Sequence, residues 1–261
     1  MELFDGHAHL AAPEFAHDLG EVLARAEDAG VRGVVAVGET LADAERNLAL
    51  AGRYPLVRPA AGLYPTILDP GAAAAMEAFI RREAPRLTAI GEVGLDRWKV
   101  KTEAEWGLQA EIFGRFVRLA VELDLPLNIH SRSAGRHALA LLQGQGARRV
   151  LMHAFDGKAS TALAGVRAGY YFSVPPSIVR SPQKQKLVRG LPLEALILET
   201  DAPVLGPDPS VRNEPAGVAI VCREIARLKG VPAEEVARAT TANALRLFSR
   251  AFAPEDSRRR S

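Results

Sequence analysis

Leu125-Pro126-Leu127-Asn128-Ile129-His130 decides the fold. Residues 110–123 before it carry helical periodicity, and Pro126 ends that reading because the residue preceding a proline is pushed out of the helical region. A short apolar run then reads as a strand over 127–130 and closes on a histidine. The same grammar recurs along the chain: an apolar run, then a helix-compatible stretch of a dozen or more residues. The runs are 2–5, 33–37, 57–61, 88–92, 127–130, 150–153, 170–174 and 196–199. None alternates polar and apolar as a half-exposed antiparallel strand does. Near-continuous apolar strands separated by helices imply parallel pairing with both faces covered. Eight such units in about 250 residues match an α/β fold of the (β/α)8 TIM-barrel type, with a doubly wound open sheet as the alternative.

Composition sets the frame. A chain of 261 residues with 48% hydrophobic content supports one barrel-sized domain, expected over 1–253. Residues 254–261, with Arg258-Arg259-Arg260, read as a solvated basic tail. The 33 Lys+Arg against 31 Asp+Glu leave a net charge of +2, too little for a protein that coats nucleic acid non-specifically; any nucleic acid binds locally. The lone Cys222 excludes an internal disulfide framework, fits a reducing compartment and reads as a small buried apolar residue. No charged-then-apolar leader precedes the first run, and no apolar stretch reaches the roughly 18 residues a bilayer demands. The expectation is a soluble, cytoplasmic monomer without a membrane partner.

Polar residues collect at one end of the predicted strands: His7 and His9 after the first, Glu92 at the fourth, His130 at the fifth, His153 at the sixth and Asp201 after the eighth. All six face one rim, the carboxyl-terminal one where barrels of this type build active sites. Singly each has a plain reading. A lone histidine is more often a core residue with a hydrogen-bond partner, and Asp201 with Pro203 two residues on could cap a turn. Glu92, on an apolar run, needs a buried partner, and a cation is the simplest. Imidazoles with carboxylates suit zinc, manganese or iron, while carboxylates also tolerate magnesium. His17 and His137 sit on helix-compatible segments away from strand ends and read as surface residues.

Six stretches carry a resemblance to a known family: Phe4-Asp5-Gly6-His7-Ala8-His9, Ile90-Gly91-Glu92-Val93-Gly94-Leu95-Asp96, Leu127-Asn128-Ile129-His130-Ser131-Arg132, His153-Ala154-Phe155-Asp156-Gly157, Glu199-Thr200-Asp201-Ala202-Pro203 and Arg212-Asn213-Glu214-Pro215. In this order they resemble the TatD family of metal-dependent deoxyribonucleases, within the amidohydrolase-like metallohydrolases, from residue 3 to about 250. The resemblance implies that His7, His9, Glu92 and Asp201 surround one divalent ion and that Glu92 bridges to a second held by His130 and His153. One departure stands out. Where the family carries Gly-x-His-Pro-His, this chain has Gly62-Leu63-Tyr64-Pro65-Thr66, without either histidine.

Two adjacent cations (Mg, Mn or Zn) acidify bound water, so a hydroxide is available near neutral pH to attack phosphorus. Asp201 is the candidate to orient that water and accept its proton, with Glu92 between the ions. Arg132, Arg212 and Asn213 are candidate substrate contacts, since a forked guanidinium suits a phosphate; a rim salt bridge is the equal reading for Arg212. The implied activity is 3′–5′ exonucleolytic hydrolysis of phosphodiesters at DNA ends or single strands. Trp98 and Tyr64 could stack on a terminal base or simply cover the core. The alternatives are a small-molecule amide, ester or lactone hydrolase on the same metal pair, and a non-catalytic metal-binding protein.

Overall fold

The computed structural model describes residues 1–249; the basic stretch expected at 254–261 lies outside the described residues. Eight parallel strands stand in chain order in one sheet: β1 (Leu3–Ala8), β2 (Val31–Ala36), β3 (Val57–Ala61), β4 (Ala89–Gly94), β5 (Leu127–His130), β6 (Val150–Met152), β7 (Tyr171–Val174) and β8 (Leu196–Leu198). Between them run α1 (Leu19–Asp28), α2 (Leu41–Arg53), α3 (Pro70–Glu83), α4 (Glu103–Leu123), α5 (Gly135–Gly144), α6 (Ala159–Arg167) and α7 (Pro182–Gly190), and α8 (Val218–Lys229) and α9 (Ala233–Leu247) follow. The two outer strands meet just beyond β8, through a parallel bridge between Ala8 and Ala202. Across it the His9 amide donates to Ala202 O at 2.8 Å and the Asp201 amide to His7 O at 2.9 Å. The sheet is therefore a (β/α)8 barrel, and the doubly wound alternative, which needs two unpaired outer strands, is excluded.

Local chemistry explains most boundaries. Thr40 with Asp43, and Thr102 with Glu105, form reciprocal capping boxes at the starts of α2 and α4. Asp69 accepts from the amides of Gly71 and Ala72 ahead of Pro70 at the start of α3. α4 stops at Asp124, in the left-handed region at φ 49°, and Leu125-Pro126 lead into β5.

Two strands run past their expected ends, β1 to Ala8 and β4 to Gly94, so His7 lies within a strand rather than after it. The reason is close approach. A Cβ at Gly6 would stand 2.8 Å from Ile197 Cγ2, and one at Gly94, where φ is 152°, would stand 1.9 Å from His130 O. These glycines read as strand breakers, but they let neighbouring strands come near enough to continue pairing.

Inside the barrel, Phe4, Val35, Val37, Ala60, Ala89, Leu151 and Ile197 form one apolar cluster with Ala244, Leu247 and Phe248. Phe248, just past α9, stacks on Phe4 with centroids 6.0 Å apart, so the C-terminal helix fills one end of the barrel. Cys222 is fully buried on α8, as expected of a small apolar residue. No helix among the described residues is long and apolar enough to cross a membrane.

Replacing Gly94 by alanine puts a side chain where only hydrogen fits and forces a φ that costs about 1–3 kcal/mol by itself. With the clash added, thermal unfolding should drop by more than about 2–4 °C, the shift that 1 kcal/mol gives a chain of this size. Gly107→Ala in α4, where nothing lies within 4 Å, should hold or raise the melting temperature. Equal melting temperatures for the two variants would refute the close-approach account.

Candidate metal centre

Three of the four candidate imidazoles, those of His7, His130 and His153, are held by one ring nitrogen and offer the other inward. His7 Nδ1 lies 2.9 Å from Asn128 Oδ1, and the Asn128 amide in turn donates to Gly6 O at 2.9 Å, which identifies Nδ1 as the protonated nitrogen. His153 Nδ1 lies 3.0 Å from Glu199 Oε2, a carboxylate that also accepts from Ser173 Oγ and the Ala154 amide. His130 Nε2 lies 3.0 Å from Asp96 Oδ2. Outer oxygens of this kind fix ring orientation and keep the inner nitrogen a lone-pair donor.

The inner atoms form two groups. His7 Nε2, His9 Nε2 and Asp201 Oδ1 make a triangle with edges of 3.2, 3.3 and 3.4 Å. Two imidazole nitrogens cannot face each other at 3.2 Å as lone pairs without something positive between them. A tetrahedral ion at about 2.0–2.1 Å from each would set them about 3.3 Å apart, so the donor set fits a metal. In the second group His130 Nδ1 and His153 Nε2 stand 2.6 and 3.5 Å from Glu92 Oε1. The other oxygen, Glu92 Oε2, lies 3.5 Å from His9 Nε2 and 3.9 Å from His7 Nε2. Glu92 thus stands between the groups with one oxygen toward each. Both triads, His7–His9–Asp201 and Glu92–His130–His153, bring ligand-capable atoms within 4.8 Å of one another.

Electrostatics follow from burial. Glu92 is 1% exposed and Asp201 7%. Burial alone would raise both carboxyls, but the surrounding imidazoles more than reverse it and hold both well below the usual carboxylate range. In return, burial lowers His7 and His130, yet the Asp201 hydrogen bond and the Glu92 charge push His7 up to about 10, and Glu92 and Asp96 push His130 up to about 9. Asp5, fully buried behind the site, is raised to about 7 by desolvation even though Thr200 and the His7 amide bond it.

The predicted substrate contacts divide. Arg132 is exposed at the rim, two residues beyond His130, and lies 3.7 Å over the Trp98 ring. Arg212 donates both arms to Asp18 and rests over Phe15, closing the loop after β8 onto the segment before α1. Asn213 is 5% exposed and spends its amide on Thr200 O and Val204 O, which ties down the same loop. These two side chains are engaged within the protein. The Arg212 partner Asp18 lies 194 residues away, too far for spacing to reveal it, whereas Asn213 folds back on Thr200 and Val204 within its own loop.

Sequence reasoning assigned no role to Asn128, Asp96, Glu199 or Asp5. Asn128 lies two residues before His130 on the same face of β5, and this alternation is the signal that could have found it; Glu199 lies past the end of β8, where no such alternation applies. At the position of the missing histidines, Tyr64 meets the His130 ring edge to face, centroids 5.2 Å apart. Glu39 stands 4.0 Å from His9 Nδ1. His17 and His137 are both exposed.

Comparison with known proteins agrees with this geometry. The chain is 47% identical over 262 residues to human "Deoxyribonuclease TATDN3", covering 94% of each chain. It is 33% identical to "3'-5' ssDNA/RNA exonuclease TatD" of Shigella flexneri, over 96% of this chain and all of that one. The solved structure of the TatD homologue YJJV from Escherichia coli superposes with a TM-score of 0.87 at 29% identity, over 95% of this chain and 98% of that one. Residues 4–249 match the family described as TatD related DNase, and the chain belongs to that family.

Proposed function

We propose that this protein is a metal-dependent phosphodiesterase that removes nucleotides from the 3′ ends of single-stranded DNA. The observation that carries the reading is Glu92, whose two oxygens face two separate histidine groups from one buried position. His7, His9 and Asp201 would hold one divalent ion and His130 and His153 a second, with Glu92 shared, and when bound such ions supply Lewis acidity toward a phosphoryl oxygen and lower the pKa of water. Mixed imidazole and carboxylate donors accept Mg, Mn or Zn.

The chain's own residues do the rest. The Asp201 carboxylate, at the inner edge of the site, orients the attacking water and receives its proton, and the imidazoles around it hold its pKa low enough to keep it ionised between turnovers. Asn128, Glu199 and Asp96 prevent the rings from turning, so the donors keep their spacing when a charged substrate arrives. Arg132 presents a planar guanidinium at the rim and takes a phosphate oxygen of the strand. The relatives' printed names, deoxyribonuclease and 3'-5' ssDNA/RNA exonuclease, support the substrate class. A buried lone thiol at Cys222 accords with a cytoplasmic setting.

Purified protein given magnesium, manganese or zinc should release nucleotides from single-stranded DNA, with label at the 3′ end lost first. Asp201→Asn should cut kcat by about 10²- to 10⁴-fold. Hydrolysis of an ester or amide panel with DNA untouched would select the small-molecule alternative instead. A second outcome concerns pH. Because the free site stores protons on His7 and His130, with pKa values of about 10 and 9, a cation must displace them. Binding therefore releases protons and weakens as pH falls, with the apparent Kd improving about tenfold per pH unit for each proton released between pH 6 and 8. Calorimetry in buffers of different ionisation enthalpy measures the release; a pH-independent Kd would contradict this electrostatic account.

A further inference from the structure

The rim is electrically lopsided. On the side where β8 meets β1, the cations are neutralised: Arg212 grips Asp18 and Arg25 grips Glu214. Above β4 and β5, Arg97, Lys99, Lys101 and Arg132 crowd together, and among the described residues none has a carboxylate within 4.0 Å. They lie against aromatic rings instead. Arg132 Cζ stands 3.7 Å and Lys101 Nζ 5.9 Å from the Trp98 centroid, Arg97 Cζ 4.5 Å from Trp106, and Lys99 Nζ 5.3 Å from Tyr64. Trp98 is 52% exposed and is the only aromatic among the large exposed hydrophobics of the described residues.

A cation–aromatic pair serving stability alone gains most when desolvated, so packing would favour burying the indole. Here it is held outward by a rigid loop. Asp96 Oδ1 accepts from the amides of Trp98 and Lys99 at 2.8 and 2.6 Å, and the Arg97 amide donates to Arg132 O at 3.0 Å. Gln109 Oε1 accepts from the Asp96 amide, and its Nε2 donates to Pro65 O. The other oxygen of Asp96 is the one beside His130. Ring and cations are thus anchored to the same carboxylate that orients a candidate ligand, and Arg132 lies within about 7 Å of His130 along the chain.

Resting on the nuclease reading, we propose that Trp98, Arg132 and Lys101 form a platform for the single strand that leads away from the metal centre. A base stacks on the exposed indole while the flanking cations meet its phosphates. Stacking tolerates any base and the cations match the strand's charge spacing loosely, so the platform grips length rather than sequence. Arg132 can stack on Trp98 and still present its in-plane N–H donors. The chain's near-neutral overall charge makes such a local strip the place where a polyanion gains most.

The test uses full-length, metal-loaded protein and cleavage-resistant phosphorothioate dT2 and dT10, read by tryptophan fluorescence and anisotropy. Wild type should show quenching by dT10 and tighter binding of dT10 than of dT2. By anisotropy, Trp98→Ala should weaken dT10 by roughly 5- to 100-fold, closing the gap with dT2, while Trp98→Phe, which keeps a stacking ring but not the indole emission, restores much of the affinity. Lys101→Ala should lower the salt slope of binding by about 0.7. An unchanged melting temperature shows that the variants fold. Unaltered dT10 affinity in Trp98→Ala, or equal quenching by poly-glutamate, overturns the platform. Binding is read apart from cleavage, so wild type that binds dT10 in this way but hydrolyses no DNA upholds the platform and sinks the nuclease reading. Hydrolysis with Trp98→Ala binding normally does the reverse.

Discussion

The rest of the structure depends on the seam that closes the barrel. Two backbone hydrogen bonds, His9 to Ala202 and Asp201 to His7, join the first strand to the chain just past the last. Beneath them the Asp5 carboxylate takes both the amide and the hydroxyl of Thr200, at 2.9 and 2.5 Å. The residues whose main chains lock the seam are those whose side chains make the first donor triangle. Closing the barrel and assembling that triangle are a single event. A shift of one residue at this seam would turn His7 and Asp201 to opposite faces and lose both.

Charge inside such a closure is tolerable only in company. Glu92, Asp201, Glu199, Asp96 and Asp5 are all buried, and so are His7, His130 and His153. Isolated, any of these carboxylates would be costly in a medium from which water is excluded. The arrangement alternates sign and gives nearly every oxygen a proton-bearing neighbour, with Glu199 alone accepting from a hydroxyl, an amide and an imidazole. Replacing one partner would strand the others, which is why the polar network and the site it supports behave as one unit.

Much of this was legible in the chain, for identifiable reasons. Strands wrapped on both faces are largely apolar, so β3 and β5 were readable to the residue, and the histidine that ends β5 stood out. The six convergent side chains followed from that register and from the family resemblance. What could not be read depended on contact at a distance. Gly6 and Gly94 look like interruptions until the neighbouring strand is in place, so β1 and β4 were drawn too short. Arg212 looks available until Asp18 is brought beside it, and Asn128 looks like an ordinary strand residue until it meets His7 across the barrel. The cation-rich strip above β4 and β5 likewise requires two loops, one after each strand, to be laid side by side.

The seam also orders events during synthesis. Asp5 and Thr200 are 195 positions apart, and Phe4 finds Phe248 later still. A nascent chain emerging from the ribosome can pair β4, β5 and β6 early, bringing Glu92, His130 and His153 together while the His7 side waits for the final quarter of the polypeptide. Such long-range closure is slow relative to local pairing. The half-made protein therefore carries an incomplete cluster of donors on an open sheet edge, and the competent pocket arrives only at the close of translation.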